Sequence, residues 1–219
     1  GTILLFGTAA CGTSDNDGSS DSDLNGTLNG AGASSQESAV GAWRQGFQQA
    51  NSDVTVNYVP IGSCGGREQF IAGGVSFAGS DAFLDEDELT AAAERCASDV
   101  VSVPVYVSPI AVIFNVEGVE DLKLDAATLG SIFEGKITTW DDAAITSLNP
   151  GIDLPNTKIT PVHRADDSGT TKNFTDYLTA ASGGSWTGGV VETWPIKGGE
   201  AANGTSGVVA AVKSGSGMI

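Results

Sequence analysis

Two hydrophobic periods divide this chain. Val54, Val56 and Tyr58 alternate with polar residues and predict a strand, Ile159 to Val162 reads as another, and Phe77-Ala78-Gly79-Ser80-Asp81 reads as a strand end closing on a carboxylate. Helical spacing predicts helices at Val40, Trp43 and Phe47, at Phe70 and Ile71, from Leu84 to Cys96, from Asp125 to Phe133, and from Asp141 to Leu148 before the Asn149-Pro150-Gly151 turn. Phe174, Tyr177 and Leu178 mark a further helix, and Ser206 to Lys213 a short one despite Gly207 near its start. Val100 to Val116 predicts a long apolar strand region, interrupted at Ser108-Pro109, where a crossover between lobes is placed. Gly215 to Ile219 starts what reads as one more strand. Alternating strands and helices give an α/β class, and the 219 residues allow one or two domains with a sizeable core.

Small polar residues gather where strands hand over to helices. In HRADDSGTTKNFT, His163 to Thr175, the run Asp167-Ser168-Gly169-Thr170 falls between the strand and the helix. Free N–H groups and the positive end of the helix dipole lie at such a point, so an anion is held there, and Arg164 adds a charge-assisted hydrogen bond. An ordinary Ser or Asp helix cap is the simpler alternative. The chemistry recurs at Gly30-Ala31-Gly32-Ala33-Ser34-Ser35, where Ser34-x-x-Glu37 has capping-box spacing and the glycines allow close approach of a ligand, and at Gly62-Ser63-Cys64-Gly65-Gly66. Asp81 follows the second of these, either facing a ligand or capping the next turn.

Four segments carry a resemblance: GAGAS at Gly30–Ser34, IGSCGGREQFIAGGVSFAGSDA at Ile61–Ala82, LGSIFEGKITTWDDAAITSLNPGIDLP at Leu129–Pro155 and HRADDSGTTKNFTDYL at His163–Leu178. In these the chain resembles the phosphate-binding protein of the phosphate-specific ABC transporter (PstS type). The resemblance implies a two-lobed, periplasmic-binding-protein-like (type II) α/β fold, truncated before the C-terminal return to the first lobe. Residues 27–107 would form the N-terminal part of the first lobe, and 108–219 an incomplete second lobe. It further implies an extracytoplasmic solute-binding lipoprotein, not an enzyme, that captures inorganic phosphate between the lobes and delivers it to ABC permease subunits. The protein would act as a monomer with no cofactor, and no metal is expected, since His163 is the only histidine and no C-x-x-C occurs. Ser34 would offer its hydroxyl and N–H, Ser35 its N–H, Ser63 a hydroxyl, and Ser168, Gly169 and Thr170 donors from the third helix start. Asp81 would accept a hydrogen bond from a protonated phosphate oxygen, and Arg164 would pair with the anion, oriented by Asp166. Asp167 stands where some relatives have Gly and either caps the helix or adds negative charge.

Charge narrows the partners. With 10 Lys+Arg against 27 Asp+Glu the net charge is −17, which argues against nucleic acid and leaves phosphate to short-range, desolvated hydrogen bonds rather than steering. Thr2 to Cys11 is apolar and too short to span a bilayer. It reads as the tail of a secretory signal, in which Thr8-Ala9-Ala10-Cys11 resembles a lipobox with Thr8 in place of the usual Leu; the alternative is a buried strand. Cys11 would then carry a lipid holding the protein to the outer face of the cell membrane. Residues 12–26, rich in Ser, Asp and Gly, would be a flexible tether. In an oxidising compartment Cys64 and Cys96 would be able to pair, against which Cys64 occupies a ligand-loop position. His163, the single histidine, directly precedes Arg164, so the two side chains point to opposite faces and His163 reads as a packing or surface residue. The alternatives are a binder of another tetrahedral oxyanion (sulfate or molybdate), a phosphate-ester hydrolase, and an adhesion or signalling module on the same fold.

Overall fold

A computed structural model of the protein describes residues 24–219. The expectations for the signal tail, Cys11 and most of the tether lie outside the described residues. Strands β1 (Gly26–Gly32), β2 (Val54–Val59) and β3 (Phe77–Gly79) form a parallel sheet in the order β2-β1-β3. Helices α1 (Glu37–Ala50), α2 (Ser63–Ile71) and α3 (Glu86–Cys96) connect and flank it. β1 was not foreseen, because GTLNGAG carries little strand propensity. Backbone pairing with β2 and β3 makes it a strand, and α2 packs directly on it: a Cβ on Gly66 of α2 would fall 2.4 Å from the Gly32 Cα. α3 begins two residues after the expected Leu84, at an N-cap where Asp85 and Glu88 complete a reciprocal capping box.

The C-terminal body contains α4 (Ala126–Phe133), α5 (Ala143–Leu148), β4 (Val162–Arg164), α6 (Gly169–Ala181), β5 (Glu200–Ala202) and α7 (Gly204–Ser214). β4 and β5 pair in parallel, Val162 opposite Glu200 and Arg164 opposite Ala202. That pairing moves the expected strand at Ile159 toward the C-terminus, since the backbone partner stands opposite 162–164. The main core lies here: Trp140, Ile132, Ile145 and Leu178 are fully buried, with Phe133, Trp186 and Ile219 around them. A smaller cluster of Val162, Ala211 and Val212 joins α7 to β4.

Two strand expectations fail. Residues 100–114 form no strand, and in the whole region to Val116 only Asn115 pairs, in a bridge with Met218. The alternation is real, but Val101, Val103, Val105 and Val107 stand 81%, 68%, 55% and 95% exposed. No sheet edge among the described residues accepts them, and Pro104 and Pro109 remove ladder donors. The strand expected from Gly215 reduces to single bridges of Met218 with Asn115 and Thr160. The face of α1 is also only partly covered: Val40 is buried, whereas Trp43 and Phe47 are 45% and 40% exposed.

Leu178→Ala empties a site with 0% exposure and should cost about 2–5 kcal/mol. Val107→Ser, at a fully solvated position, should change stability by less than about 0.5 kcal/mol. Urea unfolding midpoints of the two variants measure the difference.

Candidate functional site

The α2 and α6 starts, predicted separately, meet at one residue. Asp81 follows β3. Its carboxylate accepts from Ser35 Oγ, at 2.7 Å to each oxygen, and from Thr170 Oγ1 at 3.1 Å. Its backbone N–H donates to Ser63 Oγ at 3.1 Å, and its carbonyl accepts from Asn173 at 2.9 Å. Asp81 is therefore not a cap of the next turn. Gly169 is required by this junction: a Cβ there would fall 2.7 Å from Ser63 Oγ and 2.9 Å from the Asp81 Cβ. The negative charge of Asp81 reaches Tyr58 and Tyr106, whose hydroxyls titrate high, first because of burial and then because of this carboxylate.

Arg164, at the end of β4, is 7% exposed. It donates from Nε to Asp166 Oδ1 at 2.6 Å and from NH1 to Ser168 Oγ at 2.8 Å, and NH2 pairs with Asp166 Oδ2. Asp166 thus engages two of the three guanidinium nitrogens. Ser168 caps α6 by accepting from the Thr171 N–H, so the helix-cap alternative and the Arg164 contact hold at the same residue. A guanidinium carries five N–H donors, two more than these contacts use.

α7 completes the arrangement. Its first two N–H groups donate to Asp166 Oδ1 (Gly204, 3.1 Å) and to Ser34 Oγ (Thr205, 3.0 Å). The capping box expected at Ser34 and Glu37 does not form, because Ser34 opens a 3₁₀ turn, Ser34–Gln36, and its hydroxyl is engaged by α7 instead. Thr205 was not foreseen, nor was the donation of the Ser35 hydroxyl to Asp81. Buried Arg67 was also missed, although its place one turn after Ser63 was a usable signal.

The remaining expectations divide. Cys64 and Cys96 are free thiols. Cys64 lies in the first turn of α2 and contacts Glu68, whereas Arg95, the neighbour of Cys96, stacks over Phe70 in the last turn. Roughly 9 Å of helix separates those turns, beyond the reach of a disulfide. Burial, then the charge of Glu68, pushes the Cys64 thiol up to about 11, so it is not a thiolate at neutral pH. Asp167 does not cap α6; it is exposed and accepts from Thr193. His163 stacks on Trp194 at 5.0 Å and 13°, and packing is its role. Ser35, Asp81, Arg164 and Thr170 are among the polar residues lining a cavity of about 1560 Å³ whose walls also include Trp43, Phe174 and Trp194. The cavity is far larger than a tetrahedral oxyanion.

Burial raises the Asp166 carboxyl, but hydrogen bonds from Arg164 and Gly204, with the Arg164 charge, outweigh it and hold the carboxyl below its ordinary value. A carboxyl depressed in the folded state contributes stability that is present above its unfolded value and lost as pH falls through the folded one. Asp166→Asn should therefore lose stability at neutral pH and show a shallower decline on acidification below about pH 4. Urea unfolding at several acidic pH values, compared with the parent protein, measures this.

Comparison with known proteins follows the same lines. The chain is 41% identical over 193 residues to Phosphate-binding protein PstS 3 of Mycobacterium leprae (strain TN), covering 88% of this chain and 52% of that protein. It is 37% identical over 232 residues to Phosphate-binding protein PstS 2 of Mycobacterium tuberculosis (strain ATCC 25618 / H37Rv), covering 100% and 61%. The chain thus spans about half the length of the curated relatives it matches. The structure of a high affinity periplasmic phosphate-binding protein (PfluDING) bound with phosphate superposes with a TM-score of 0.71 at 28% identity, covering 88% of this chain and 55% of that one. A phosphate-bound chain from Clostridium perfringens superposes with a TM-score of 0.67 at 21% identity, covering 88% and 68%, a likeness of fold. Both agree with the binding-protein-like α/β fold expected from the sequence. A family model described as PBP superfamily domain matches residues 17–219, and to that family the chain belongs.

Proposed function

We propose that the protein binds inorganic phosphate between its two bodies and passes it to the permease of an ABC transporter, without chemical change to the ion. The observation that carries this reading is the meeting of the Ser63 and Ser168-Gly169 helix starts at Asp81, with Arg164 beside them. Ser34, Ser35, Ser63, Ser168, Gly169 and Thr170 supply hydroxyl and N–H donors, and Arg164 supplies the positive charge. The bodies correspond to lobes at residues 27–107 and 108–219. Cys11 carries a lipid at the outer face of the membrane, and residues 12–26 tether the binding domain to it. The names of the relatives, and the phosphate in the PfluDING structure, support the choice of ion.

Asp81 is the selectivity element. Phosphate near neutral pH keeps at least one proton and sulfate keeps none, while their sizes and shapes are nearly equal. Binding phosphate would turn the carboxylate from Ser35 and Thr170 toward the ligand proton, and sulfate would instead present a bare oxygen to it. Sites built on such a polar contact reject the analogue lacking it by roughly 10⁴–10⁵.

Calorimetric titration with phosphate tests the reading; an absence of binding would favour an adhesion or signalling module. Arg164→Ala should weaken phosphate binding by at least about 1.5–3 kcal/mol, or roughly 10- to 150-fold in Kd. In competition of sulfate against labelled phosphate, Asp81→Asn should admit sulfate, because an amide presents NH₂ to an unprotonated oxygen. A parent protein that takes both ions equally would remove Asp81 from this role.

A further inference from the structure

A second buried guanidinium lies one helical turn behind the site. Arg67 sits on α2 four residues after Ser63 and is 4% exposed. Its Nε donates to both oxygens of Glu88 on α3, at 2.9 and 3.0 Å, and NH1 donates to Ser80 at 3.1 Å. Those partners belong to the same body as α2. NH2 reaches across to the other body and donates to both oxygens of Glu192, at 2.9 and 2.8 Å, in the segment between α6 and β5. Glu192 also accepts from Lys172 of α6 at 3.2 Å, and its backbone carbonyl accepts the Ser168 N–H at 3.1 Å. The side chain that meets Arg67 is therefore bonded through its own main chain to the N-cap of α6.

We propose that the Arg67–Glu192 pair is a latch between the two bodies, tying the start of α2 to the start of α6 and setting how long the site stays closed on its anion. The ligand in this inference rests on the phosphate reading; the latch itself rests on the geometry. Two features fit a reversible contact. Arg67 and Lys172 balance Glu88 and Glu192, so the cluster is neutral when joined. When the bodies part, Arg67 keeps Glu88 and Ser80 while Glu192 keeps Lys172, so neither half strands a buried charge without a partner. Arg164 differs: its side-chain partners, Asp166 and Ser168, are on its own segment and travel with it. Arg67 and Glu192 are positioning residues. They act on bound anion through Ser63 and Ser168.

The test uses the full chain with Glu192→Gln, Arg67→Met and the double variant. Glu192→Gln keeps the side-chain shape and leaves Arg67 paired with Glu88, so it carries the test if Arg67→Met does not fold. Stopped-flow phosphate binding should show dissociation about tenfold faster or more, with association unchanged within about twofold. The double variant should be no worse than the worse single one, and Arg67→Lys should restore part of the residence time. A within-body ion pair would move the melting temperature and leave the dissociation rate alone, and that outcome overturns the latch. Small-angle scattering without ligand supplies a readout independent of phosphate: Glu192→Gln should enlarge the radius of gyration relative to the parent protein. An unchanged radius, together with unchanged dissociation, also overturns it. If the parent protein binds no phosphate, the functional reading falls and scattering alone decides the latch.

Discussion

Burial of the Arg164 guanidinium is the constraint on which the rest of the site depends. A buried cation without partners is strongly unfavourable, so the chain around it must supply acceptors. Asp166 and Ser168 do so from the same loop, within four residues. Asp166 is in turn held by the Gly204 N–H at the start of α7, and the next N–H of that helix, from Thr205, holds Ser34 in the other body. One buried charge thus fixes the β4–α6 loop, the entry of α7 and the first small-residue turn. The parallel pairing of β4 with β5 matters for the same reason, because it delivers the chain to α7 at the correct end.

The overall charge of −17 sets a second condition. Long-range attraction for an anion is absent, so on the phosphate reading selection would fall to donors at hydrogen-bond distance in a place where water is excluded. Ser63 and Ser168 are 0% and 1% exposed, which places their hydroxyls in such surroundings. Asp81 and Asp166 add negative charge close by, and each is occupied by donors from the protein. The site is organised as a hydrogen-bond network rather than a positive patch.

Much of this was readable from local pattern. Helix starts at Ser63 and Ser168 follow from small polar residues placed before apolar residues at helical spacing, and the structure has both. The pairing of Arg164 with Asp166 needs only two residues of separation. The Asp85–Glu88 capping box and the turn after α5 are likewise short-range. The spacing at Ser34 and Glu37 had the same form as that at Asp85 and Glu88, yet only the second became a capping box, because α7 competes for the Ser34 hydroxyl from far along the chain.

By itself the sequence determined the α/β class and most helices, and it marked the small-residue helix starts, because these depend on interactions spanning a few residues. Tertiary structure decided which of them meet. β1 and β5 exist because neighbouring backbones pair with them, and Val100 to Val116 fails to form a strand because a β pattern needs a partner edge and finds none among the described residues. Cys64 and Cys96 stay apart because α2 and α3 place them at different ends of a helix. The Arg67–Glu192 contact joins residues of separate bodies. No local period encodes such a contact, since its energy comes from burial and charge pairing that exist only once the chain has folded.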